Sequence, residues 1–72
     1  MLNEIQVGDR IRLIAMADDP YPISVGSLGT VAAVHLHANW SQIDVEWDSG
    51  RTLMLSIPPD RIEVVSKPPL LE

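Results

Sequence analysis

His35 and His37, separated by one residue, are the side chains of this sequence best placed to ligate a metal. On an extended strand both imidazoles would point to one side, and Asp44 or Glu46 could add a third ligand from across a hairpin. Two ligands do not make a site, however, and such a pair belongs as readily to a solvated strand face. The arginines suggest different chemistry. Arg10 and Arg12 share one face of a strand and Arg51 opens another, so an intersubunit cleft gathering them could hold an anionic small molecule such as a nucleotide. A third set suits protein contact: Asp18, Asp19 and Tyr21 form an acidic rim in a proline-bearing loop, and Trp40 lies in a connection where an exposed indole would anchor a partner. No Ser-His-Asp order, paired catalytic carboxylates or phosphate loop can be defended. Neither enzymatic activity nor a cofactor is expected.

The elements that must carry these residues are strands. Ile43, Val45 and Trp47 alternate with Gln42, Asp44, Glu46 and Asp48, a period of two that buries one face and wets the other. Ser49-Gly50 supplies a two-residue turn, and Leu53 and Leu55 return beside the first strand. Before this hairpin, Val7-Gly8-Asp9 launches a strand from Arg10 to Met16, with Ile11 and Leu13 inward and Ile14 and Met16 outward. A second strand over Leu28 to His37 has apolar residues on both parities, as a bulge, a strongly coiled strand or burial on both faces would produce. Between them Ala17 to Ser27 forms a loop of about ten residues, long for so small a domain. Its Tyr21 and Ile23 can fold back over one end of the core. Ile57-Pro58-Pro59-Asp60 forces a turn, expected as a single 3₁₀ turn, before a last strand with Ile62 and Val64 inward. All four glycines are assigned to turns. The domain is expected over 1–66, with 67–72 a disordered tail.

Composition bounds what such a domain can do. Seventy-two residues make one small domain, and the absence of cysteine excludes a disulfide staple or thiolate site, so a reducing cytoplasm is the simplest home. No apolar run approaches the roughly 18 residues of a membrane span. Ten acids against five bases give a net charge of −5, a field that repels a phosphate backbone and argues against nucleic-acid binding. With three aromatic residues and no phenylalanine, the core must rest on aliphatic side chains. It is expected to contain Ile11, Leu13, Val31, Val45, Trp47, Leu53, Leu55 and Ile62.

Five short strands with a long first loop, a tight turn between the third and fourth, and a proline-marked turn before the fifth resemble an SH3-like barrel. Val7-Gly8-Asp9-Arg10-Ile11-Arg12-Leu13 followed by Gly26-Ser27-Leu28-Gly29-Thr30-Val31 is similar to KOW-type modules, although most of the basic residues with which those modules hold RNA are missing. More closely, Val7 to Ile11, Asp19-Pro20-Tyr21-Pro22, Gly26 to Val31 and Val45 to Arg51 together resemble a small family of uncharacterised bacterial and phage domains. That resemblance implies a fold and no activity.

Two functional expectations follow. The first is a non-catalytic binding and assembly module that holds another protein through Tyr21, Trp40 and the acidic rim. The alternative is an oligomeric binder of an anionic small molecule through Arg10, Arg12 or Arg51, with KOW-type nucleic-acid binding third. A homodimer is also expected, because Ile14, Met16, Met54 and Trp40 could form an apolar patch that a monomer of this size seldom exposes.

Overall fold

The structure is a computed structural model that describes residues 5–16 and 23–67. Five antiparallel strands form one sheet: β1 (Arg10–Ala15), β2 (Leu28–Leu36), β3 (Ser41–Trp47), β4 (Thr52–Ile57) and β5 (Arg61–Ser66), in the order β4-β3-β2-β1-β5. The described residues contain no helix, and hence none long and apolar enough to cross a membrane. The long loop falls largely within 17–22, outside the described residues, as does most of the expected tail.

One face of the sheet holds the core. Ile11, Leu13, Ile23, Val31, Ile43, Val45, Trp47 and Leu55 are buried, and Leu53, Ile57, Ile62 and Val64 pack against them half-buried. Register explains why these residues meet. Ile43 lies opposite Val34 and Leu55, Val45 opposite Val31 and Leu53, and Ile11 opposite Gly29 and Val64. Ile23 joins this cluster from the far end of the first loop, where the Gly26 N–H donates to the Leu13 carbonyl at 2.8 Å.

Bulges reset the strand phase at three places. In β2, Val31 pairs with Val45 and Ala33 with Asp44, leaving Ala32 without an opposite number. Because of that extra residue, Val31 and Val34 both face inward, which accounts for the mixed parity of this strand. In β1 the register slips between Leu13 and Ala15. Strict alternation would expose Met16. The extra residue at Ile14 instead turns Met16 back toward the core, where it packs half-buried. The expected patch therefore loses one member. The third bulge leaves Val65 exposed in β5.

The β3-β4 turn is one residue longer than the sequence suggests. Trp47 N–H donates to the Arg51 carbonyl at 3.0 Å and Gly50 N–H to the Trp47 carbonyl at 2.9 Å, enclosing Asp48-Ser49-Gly50 as a three-residue loop. Its last position has φ of 97°, which only glycine adopts without strain. Gly29 is not a turn residue at all. It sits inside β2 opposite Trp47, and its missing side chain admits the indole.

Two buried carboxylates close the ends of strands. Asp9 accepts the Gln6 N–H at 2.8 Å and the Lys67 ammonium at 2.9 Å through Oδ2. Lys67, the first residue of the expected tail, is thereby tied to the start of β1. Asp60 accepts the Ser56 N–H at 3.1 Å and returns its own N–H to the Ser56 carbonyl at 2.9 Å, closing the turn before β5. Phase predicts unequal tolerance along β3. Val45→Ala should cost on the order of 1–3 kcal/mol by lost burial and a cavity, whereas Glu46→Ala, on the exposed face, should cost little. Equal shifts in urea midpoint would contradict this inward-outward assignment.

Candidate functional site

Arg10 and Arg12 do not converge on an open cleft. Both lie on the outer face of β1, where cross-strand carboxylates engage them. Arg10 meets Asp48 through both terminal nitrogens at 2.7 Å and also donates to Thr30 Oγ1 at 3.0 Å. Asp48 is held for this role, since its N–H donates to the Leu28 carbonyl at 3.0 Å. Hydrogen bonding to Arg10, reinforced by its charge and partly opposed by desolvation, holds the Asp48 carboxyl below the usual carboxylate range. The same hydrogen bond raises the pKa of Arg10. Arg12 pairs with Glu63 of β5 at 3.0 Å. These are exposed pairs that salt screens, so their effect is chiefly to occupy the two guanidiniums. Arg51, exposed, closes the loop that carries Asp48.

The histidines also separate. His35 Nε2 lies 3.3 Å from Asp44 Oδ2, and Gln42 donates to the same carboxylate at 3.1 Å. His37 has a different partner: its ring stacks on Trp40, with centroids 4.1 Å apart and planes 11° from parallel. No group of three potential ligands that could hold a metal occurs among the described residues.

The outer face of β3 and β4 carries a cleft of about 380 Å³ whose walls include Ala32, Asp44, Glu46, Thr52 and Met54. It presents two carboxylates and no arginine. An anion would meet repulsion there.

Trp40 is the sequence-predicted contact residue with the most distinctive setting. It ends the four-residue tip His37-Ala38-Asn39-Trp40, which is closed by a 2.9 Å bond from the His37 N–H to the Trp40 carbonyl. The ring stack fixes the indole's orientation, yet 39% of the residue remains accessible. Leu36, beside the tip, is 78% exposed and was not evident from sequence, because its parity places it with the inward set while the strand runs past the end of the core. His37 was legible as a polar strand residue. Its stacking role depends on the tight tip that returns Trp40 to it. Asp18, Asp19 and Tyr21 lie outside the described residues.

These features define a small all-β domain in which Arg10 and Arg12 are engaged within the chain and the clearest exposed feature among the described residues is an aromatic hairpin tip. The chain belongs to DUF4314, a domain of unknown function, whose family model matches residues 2–65. No curated protein and no solved structure matches it significantly.

Proposed function

We propose that this domain is a non-catalytic protein-binding and assembly module of bacterial or phage origin, acting in the cytoplasm, with the β2-β3 tip as its contact point. The observation that carries this reading is the exposed Trp40 held in place by His37. An indole that is already ordered loses little rotamer freedom on binding, so more of its buried area is realised as affinity. Trp at such a position is the residue type most often found to dominate an interface. Leu36 extends the apolar surface beside it.

The fold proposed for the module is an SH3-like barrel with a long first loop and a 3₁₀ turn before β5. The almost zero exposure of Ile11, Leu13, Val31 and Leu55 supports a sheet that coils over its own face, since a single flat layer leaves one face open. The bulge in β2 lies between the β1-β5 and β3-β4 sides of the sheet, where such a bend would be needed. The engaged Arg10 and Arg12, the acid-lined cleft and the net charge together weigh against a nucleotide or a nucleic acid as ligand.

Trp40→Ala tests the reading. Immobilised wild-type protein is expected to retain a discrete partner from cells of the source organism, and the variant to bind it at least about 30-fold more weakly, the counterpart of roughly 2 kcal/mol. Direct titration can follow the change in Trp emission, since Trp40 lies at the surface while Trp47 is buried away from a partner. Equal retention by a Trp40→Ala protein of unchanged fold would overturn the tip as contact point.

A further inference from the structure

The two ends of the sheet differ in how they are protected. β5 carries Arg61 and Glu63 and is bent by the bulge at Val65, devices that discourage pairing with another strand. β4, the opposite end, reads Thr52-Leu53-Met54-Leu55-Ser56-Ile57, with no charge and no proline, and its register with β3 is unbroken.

The direction of its backbone groups follows from hydrogen bonds already described. Arg51 directs its carbonyl to Trp47, and alternation then turns Leu53, Leu55 and Ile57 toward β3 and Thr52, Met54 and Ser56 away from it. Ser56 confirms the phase, because both its N–H and its carbonyl bond to Asp60, off the ladder. Asp60 thus caps one end of the edge left open among the described residues, and the Asp48-Ser49-Gly50 loop bounds the other. Between these limits Thr52 and Met54 present two N–H groups and two carbonyls outward. Met54 is 58% exposed on the same strand.

We infer that this edge pairs with β4 of a second copy, antiparallel about a two-fold axis at Leu53. In that register Thr52 faces the partner's Met54 and Met54 faces the partner's Thr52. All four outward groups on each strand are then bonded, and the capped Ser56 is not required. The occupant is argued from charge as well as register. Two copies of a chain with net charge −5 repel, but β4 carries no charge and the nearest carboxylates, Asp44 and Glu46, lie one strand back on β3, so this register sets no charged residue opposite another. A two-fold interface is also the commonest solution for identical chains. This surface is separate from the Trp40 tip, and neither proposal depends on the other.

Sedimentation equilibrium at micromolar concentrations, with two variants, tests the pairing. Met54→Lys places a charge on the edge. Met54→Pro deletes an outward N–H while sparing the bonds to β3, an arrangement that edge strands tolerate. Wild-type protein is expected near twice 7.9 kDa, both variants near 7.9 kDa with an unchanged far-ultraviolet spectrum, and Trp40→Ala still dimeric. A wild-type mass of 7.9 kDa throughout, a dimer that survives both Met54 variants, or one lost in Trp40→Ala would overturn the inference. Should the variants fail to fold, amide exchange of the wild type decides. Protection of Thr52 and Met54 that rises with protein concentration supports the pairing, and protection independent of concentration refutes it.

Discussion

Truncating Trp47 to alanine is expected to cost about 3–5 kcal/mol, the usual range for removing a buried aromatic side chain. The indole is buried at the end of β3, opposite Gly29, and its Nε1–H donates to the Leu53 carbonyl at 3.2 Å. Its loss opens a cavity where the β2, β3 and β4 contributions to the core meet. Domains of this size hold only the lower part of the ordinary range of about 5–15 kcal/mol, so most of the margin goes with the side chain. Urea titration followed by far-ultraviolet circular dichroism should show a midpoint near zero denaturant, or no folded baseline. A midpoint shift no larger than that of Glu46→Ala would mean that Trp47 is not the packing centre described here.

How much of this was legible from sequence depends on whether local rules were interrupted. The alternation of Ile43, Val45 and Trp47 reports its own phase, and all three are buried. Alternation failed where one residue was inserted into a ladder, because a bulge depends on the partner strand and leaves no fixed local signature. Strict alternation therefore sends Met16 outward and cannot place Val31 and Val34 on one face. The turn at Gly50 was recognised by residue type, while its length required the pairing of Trp47 with Arg51. Arg10 and Arg12 were recognisable as a pair on one strand face. Their engagement was not, since Asp48 and Glu63 lie 38 and 51 residues away along the chain. Trp40 was identified as a contact residue from its place in a connection, but the stack that orders it is a product of the tip's closure.

Gly29→Ala is the smallest change expected to have a large effect, and its cause differs from that of Trp47→Ala. A methyl group built at Gly29 would lie 2.7 Å from Val45 Cγ1, 2.9 Å from Trp47 Cε3 and 3.1 Å from the Glu46 carbonyl oxygen. The first two separations are shorter than real side chains sustain. The third involves backbone held in the β2-β3 ladder, which cannot retreat without breaking register. Trp47 has no open space into which to turn, being itself buried. Overpacking of this kind commonly costs about 1–3 kcal/mol, and with three neighbours affected the loss should reach the upper end, near 3 kcal/mol. A double-mutant cycle separates the clash from the weaker general effects of altering a strand glycine. Val45→Ala removes the closest of the three contacts, so Gly29→Ala made in that background should cost about 1 kcal/mol less than in the wild type. Trp47 and the Glu46 carbonyl still oppose the methyl, so relief is partial. Strictly additive losses in urea would show that the glycine is required for some reason other than the close approach of β3.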